Sequence, residues 1–339
     1  MLVVAASGTA AVAFLPGLPK TLASPGSSAS PTPDTAIEPI GPDTNPVVEE
    51  VPVEPVAPPV PVSPAALPCD TTSLMTIWAH QDDDLIFANP DISDAVANGE
   101  CVRTLYLTAG DAGRGASYSL SRELGILRAY NLMRGGQSFW DEHTVTLLSG
   151  AELTMFVRQG DAKTAVGFLR LPDGGLDAGG FAATGYVSMP KLLSGGIGSI
   201  APIDGGPALS ADGLGQTVSE LIAAWAPTRL FTHIPGAAAA LAQGDHPDHG
   251  ATGDLTRQAW QGIGYPVDAV RYFIGYPTQN MPVNIGGDVL SRKVDVYRTY
   301  AKEDPVIACA DNTACLNQRS FGAWLQRSYP RTDAELGIG

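Results

Sequence analysis

Basic residues are scarce in this chain. Its 339 residues hold 20 Lys and Arg against 35 Asp and Glu, a formal net charge of -15, with a pI near 4.6. With no Lys/Arg stripe to displace counterions from phosphates, nucleic acid is excluded as a partner. Long unbroken apolar runs are also lacking. Met1 to Leu15 is apolar and Ala-rich, but Gly and Pro interrupt residues 1–23, so no transmembrane span is expected. The stretch ends in Thr21-Leu22-Ala23 before Ser24, which fits an export signal apart from its missing basic n-region.

Lys and Arg are absent altogether from residues 24–68, where twelve prolines fall between Pro31 and Pro68. Proline fixes φ and removes an amide donor, so this acidic segment is expected to be an extended, solvated linker with a catalytic-size domain following at 69–339. That domain can bury a full core, because 44% of the chain is hydrophobic and only 16% is charged. The four cysteines are an even number, as suits an oxidising compartment; the alternative is four free buried thiols in a cytosolic enzyme. Cys69 and Cys101 each precede an apolar run, so adjacent parallel strands would start with their cysteines together. The expected pairs are Cys69–Cys101 and Cys309–Cys315.

Apolar residues 74–79 read as a buried strand of a parallel sheet, and they run straight into His80-Gln81-Asp82-Asp83-Asp84. Open α/β sheets place ligands at the carboxyl ends of their strands, so this loop has an active-site address. A second apolar strand, Arg229–His233, is followed by Asp245-His246-Pro247-Asp248-His249. Four of the five histidines thus fall at two strand ends. Further strands are expected at 102–108 and 270–276, with helices at 89–99, 121–133, 218–225, 252–260 and 287–300. The expected fold is α/β: a Rossmann-like, mostly parallel sheet with helices on both faces. Residues 168–215, rich in Gly, Pro, Asp and Ser, read as a long loop insertion over the site. The glycine-rich loop 109–115 does not have dinucleotide spacing and sits on the second strand, so it reads as a substrate-contacting loop. Residues 321–325 read as an aromatic core patch.

The pairs His80/Asp83 and His246/His249 are each spaced i, i+3, which lets a compact turn present both side chains. Three protein ligands leave a coordination position open, as in a catalytic zinc, and His/carboxylate donors suit zinc better than a calcium cage. Taken singly these residues are weak signals, since a run of aspartates often only caps a turn. Two clusters ending two apolar strands carry more weight.

Ala79-His80-Gln81-Asp82-Asp83-Asp84 resembles the A-H-P-D-D-E signature of the zinc-dependent PIG-L/LmbE-like N-deacetylases, and His246-Pro247-Asp248-His249-x-Ala251 their H-P-D-H-x-A signature. Thr108-Ala109-Gly110-Asp111-Ala112-Gly113 is similar to their T-D-G-E-A-G loop. The likeness runs from about residue 74 to 330 and is nearest in look to exported members such as glycopeptide-antibiotic deacetylases. Gln81 for Pro and Asp84 for Glu are departures, and Asp84 reaches one methylene less far to buttress its loop. The resemblance implies one Zn2+ per chain on His80, Asp83 and His249. It also implies that Asp82 is the general base and that His246 stabilises the oxyanion and protonates the departing amine.

Asp248 either orients an imidazole or caps the following helix. His233 either contacts substrate or is a hydrogen-bonded core histidine. Arg122 either binds a sugar hydroxyl or pairs on a helix surface. Asp84 and Asp111 complete the supporting set, and His143 reads as a solvated loop residue. The expected function is a secreted or cell-surface hydrolase that removes an N-acyl group, foremost acetyl, from an amino sugar in a small molecule or glycoconjugate. The alternative is a catalytically silent carbohydrate-binding protein on the same fold.

Overall fold

The computed structural model describes residues 62–338. The expected export signal and residues 24–61 of the linker lie outside the described residues. Eight strands form one sheet in the order β3-β4-β5-β2-β1-β6-β7-β8. They are β1 Ser73–Trp78, β2 Cys101–Thr108, β3 Trp140–Thr146, β4 Glu152–Arg158, β5 Thr164–Leu171, β6 Arg229–His233, β7 Val270–Phe273 and β8 Pro330–Arg331. The five central strands, β5 to β7 in that order, are parallel; β4 and β8 run opposite to them, and β3 at the far edge pairs antiparallel with β4. The expected mostly parallel α/β sheet is observed.

All six residues of β1 are buried, as a strand covered on both faces requires. Successive side chains alternate between two cores: Met75 and Ile77 face one, Leu74 and Trp78 the other. Helices α4 Ala211–Trp225 and α6 Pro247–Gly262 cover the first face through Leu214, Val218, Leu221, Leu255 and Trp260. The second face is covered by α1 Asp91–Ala97, α2 Ala116–Met133 and α7 Gly287–Ala301, which contribute Ile92, Ile126, Tyr130, Val294 and Tyr297. Shorter helices are α3 Met189–Leu193, α5 Ala239–Ala242, α8 Asn312–Leu316, α9 Phe321–Leu325 and α10 Asp333–Leu336. From β1 the chain winds outward through β2 on one side and β6 on the other. Crossovers therefore diverge beside β1, leaving a crevice at the carboxyl ends of β1 and β6 where both signature loops sit.

Several boundaries differ from the sequence reading. Residues 63–67 are not free linker: Ala65 is fully buried, Trp225 Nε1 donates to its carbonyl at 2.9 Å and Ser63 Oγ donates to Glu220 at 2.5 Å. The packed domain thus starts before Cys69. Helix α2 begins at Ala116, not Ser121, and α6 begins at Pro247, so the second signature is a helix start rather than a loop before one. The meander β3-β4-β5 was not anticipated, and β5 takes the start of the expected 168–215 insertion. His143 is exposed as expected, but on β3 rather than in a loop. Strand β7 stops at Phe273, short of Tyr276. Both expected disulfides are present, Cys69–Cys101 and Cys309–Cys315.

Candidate active site

Strand β1 delivers His80, Asp82 and Asp83 into the crevice, and the start of α6 delivers His246, Asp248 and His249. All six side chains are buried. Asp83 is the hub. Its Oδ2 accepts the His80 backbone N–H at 2.7 Å and lies 3.3 Å from His80 Nδ1, while its Oδ1 lies 3.1 Å from His249 Nε2. Burial alone would raise this carboxyl, yet His249, His233 and His80 hold it well below the usual carboxylate range.

Each imidazole is oriented from behind. His249 Nδ1 sits 2.8 Å from Asp245 Oδ1, a carboxylate oxygen that also accepts the backbone N–H groups of His246 and Tyr276. Asp245 thus accepts from Nδ1–H, and against the pull of burial the charge of Asp83 together with that of Asp245 raises the imidazole to about 9, while Nε2 is buried without a hydrogen-bond partner 3.1 Å from Asp83 Oδ1. His80 Nε2 faces Asp248 Oδ2 at 3.3 Å, so its Nδ1 is the nitrogen turned to Asp83. His246 is the N-cap residue of α6, and its Nδ1 accepts the Asp248 N–H at 3.2 Å. A neutral ring with that bond carries its proton on Nε2, and burial, with His80 and His249 adding to it, pulls its pKa down. Asp248 caps nothing: besides facing His80, it accepts the Gly174 N–H at 2.8 Å. A side chain on Gly174 would meet Asp248 at 2.5 Å, which is why the chain has glycine there.

Asp82 points elsewhere. Its backbone has φ +124°, a conformation that costs energy in a residue with a side chain. Its Oδ1 lies 3.0 Å from Arg122 Nη2. Arg122 is neither on a helix surface nor free for a sugar hydroxyl. It is buried, donates to the Gln81 and Gly110 carbonyls and to Tyr300 Oη, and lies 3.3 Å from Asp304. A Cβ on Gly110, φ +51°, would meet Arg122 and Gln81 at 2.4 Å, so only glycine lets the guanidinium pass. Burial pushes the Asp82 carboxyl up to about 8, against the pull of Arg122.

His233 is a core histidine, not a substrate contact. It is fully buried, stacks on His249 at 3.9 Å, and its Nε2 lies 3.1 Å from Asp83. Asp84 turns away from the cavity and accepts from Tyr130 Oη at 2.9 Å. That phenol, anchored on α2, makes up for the shorter carboxylate. Asp111 is fully buried and ties its loop down by accepting the N–H groups of Gly113 and Asp173. Gln81 Nε2 donates to the Thr108 carbonyl, joining the β1 and β2 loops away from Asp83.

A cavity of about 690 Å³ opens over His80, Asp82 and His246. Tyr276, Phe321 and Trp324 line it, so the 321–325 patch is wall as well as core. Residues 173–181 of the expected insertion also line it, including Asp173 and Phe181. Sequence reasoning missed Asp173 and Asp304, and it named Asp245 in the second cluster without giving it a role. Asp245 had a usable signal, its i, i+4 spacing to His249 on the same turn; Asp173 and Asp304 had none.

Donor atoms of His80, Asp83 and His249 lie within 4.8 Å of one another, as do those of His80, Asp173, His246 and Asp248. The buried, unpartnered His249 Nε2 facing a carboxylate marks the first set as fit for a divalent cation. Comparison with protein families matches residues 75–260 to PIG-L: GlcNAc-PI de-N-acetylase. The chain belongs to the PIG-L family. No curated protein matches it. Among solved structures, it is similar to the A40926 pseudoaglycone deacetylase Dbv21, at 18% identity, a TM-score of 0.40, and 70% and 85% of the two chains covered. It is also similar to an N,N'-diacetylchitobiose deacetylase from Pyrococcus horikoshii, at 13% identity and a TM-score of 0.35, covering 69% of this chain and 71% of the other. The 4-carboxy-2-hydroxymuconate hydratase GalB from Pseudomonas putida follows at 12% identity and 0.39, with 70% and 85% covered.

Proposed function

We propose that this PIG-L protein is a metal-dependent N-deacetylase, with Zn2+ as its cofactor, that removes an acetyl group from the nitrogen of an amino sugar in a glycoconjugate. One observation carries the reading: two aspartates adjacent in sequence are turned to different tasks. Asp83 faces three imidazoles, while Asp82 faces Arg122 and the cavity.

In this reading His80 Nδ1, Asp83 and His249 Nε2 hold the cation, which supplies Lewis acidity toward water and the amide carbonyl. Asp82 accepts a proton from water in its carboxylate form, which a cation held beside Asp83 would favour against the burial that raises its pKa, and Arg122 keeps that carboxylate aimed and off the metal. His246, neutral with its one proton on Nε2, donates a hydrogen bond to the carbonyl oxygen; surrendering that proton would leave an imidazolate, so the departing nitrogen takes the proton that Asp82 collected from water rather than one from His246 as expected. Asp248 and Asp245 hold His80 and His249 in their tautomers. The aromatic wall of Tyr276, Phe321 and Trp324 offers faces for a sugar ring. The deacetylase names among the similar structures support the substrate class. Two disulfides support a secreted or cell-surface setting; among the described residues no helix is long and apolar enough to cross a membrane.

The test is acetate release from N-acetylglucosamine conjugates by metal-depleted protein and by the same protein reloaded with zinc. Turnover only after reloading is expected. Full turnover without metal overturns the mechanism, and sugar binding without acetate release favours the silent carbohydrate-binding alternative.

A further inference from the structure

The cavity over the site is not the only space that reaches it. A larger groove of about 1460 Å³ runs between α3, α4, α5 and α6 and touches the site at Asp245 and His246. His246 lines both spaces, so a conjugate with its amide at His246 has room on either side.

Charge is distributed one-sidedly around these spaces. The larger groove is lined by Asp212, Asp245 and Asp254 and by no Lys or Arg. The smaller cavity is lined by Asp82, Asp173, Asp177 and Asp304, with Arg122 as its one cation. Arg122 is already committed between Asp82 and Asp304. Of the nearby cations, Lys191 donates to the Gly179 and Tyr186 carbonyls, and exposed Arg114 lies over the Tyr118 ring without lining the cavity. A dication beside Asp83 offsets Asp83 and one further carboxylate, which leaves the lining negative. The formal charge of the whole chain, -15, acts in the same direction at long range.

We propose that the site selects amino-sugar conjugates that are uncharged or carry amines, and turns away those bearing phosphate or carboxylate near the sugar. The sugar part of this inference rests on the deacetylase reading; the charge preference rests on the lining alone. An anionic group here finds no unpaired cation in the lining and faces the buried carboxylate of Asp173 and the exposed one of Asp177. An ammonium finds the opposite. The phosphodiester of GlcNAc-PI, after which the family is described, is accordingly a poor fit to this member.

The experiment uses the zinc-loaded full chain and three matched glycosides of N-acetylglucosamine, with 2-aminoethyl, 2-hydroxyethyl or 2-phosphoethyl at the anomeric oxygen. Binding is measured by calorimetry and acetate release is measured in parallel. The amine should bind at least as tightly as the alcohol, and the phosphate about tenfold more weakly. That gap should narrow as ionic strength rises. Asp177→Asn with Asp212→Asn should narrow it too, and because the readout is a ratio within one variant, a partial loss of folded protein does not affect it. Phosphate binding as tight as the alcohol, or no binding of any of the three, overturns the proposal. The predicted order of binding with no acetate released keeps the charge preference and overturns the deacetylase reading.

Discussion

The two signature loops do similar work by different means. At the start of α6, His246, Asp248 and His249 are placed by one helix turn, with Asp245 immediately before it, so positions within five residues settle the geometry. The loop after β1 has no such local support. It holds Asp82 at a positive φ and depends on Arg122 from α2, and on Tyr300 and Asp304 at and beyond the end of α7. The difference teaches that an imidazole can be set by local turn chemistry, whereas a buried carboxylate turned away from the imidazoles, like Asp82, needs clamping from distant parts of the chain.

The sharpest test of this contrast is the pair of adjacent aspartates. Asp83→Ala should lose zinc and with it all turnover, while Asp82→Asn should keep zinc and lose turnover by about 10² or more. Metal analysis and single-turnover rates on both variants decide it; zinc lost from Asp82→Asn but kept by Asp83→Ala reverses the roles.

Next in size is the clamp. Arg122→Met leaves Asp82 and Asp304 buried with their shared cation gone, and should cost about 3–5 kcal/mol of stability, the scale for breaking a buried pair from one side. Thermal and denaturant melts report it. A near-neutral result would show that the β1 loop supports itself and would break the contrast.

The local side should be more forgiving. Asp245→Asn removes the carboxylate behind His249, and should weaken zinc binding about 10- to 100-fold while leaving the fold melt little changed. Competition with a chelator of known affinity measures the first, and a melt the second.

The smallest effect is expected far from both loops. A chain starting at Pro68 loses the buried Ala65 and the Trp225 bond to its carbonyl, which should cost about 1–3 kcal/mol. A denaturant melt of that shortened chain beside the full one measures it.

What could be read from the sequence follows the same divide. Strands β1, β2 and β6 were legible because burial on both faces leaves mostly apolar runs broken only by residues such as Thr76, Arg103 and Thr232, and the α6 cluster because its spacing is a single turn. Asp82 and Asp83 were legible as a pair, and their division of labour came only with the family resemblance. The partners of Arg122 were not legible, since no periodicity links residue 122 to residue 304. Strand β3 was missed for another reason: an edge strand with Asp141, Glu142 and His143 exposed shows no apolar run.

The Cys69–Cys101 bridge joins the chain just before β1 to the first residue of β2, at the end of the sheet opposite the crevice. Tension along the polypeptide ahead of Cys69 would be shared by two neighbouring central strands at their starting ends, with the rest of the ladder between the load and the loops. Load that gets past the packed residues 63–67 is therefore taken up at the starting ends of β1 and β2, and the crevice end of the domain stays mechanically quiet.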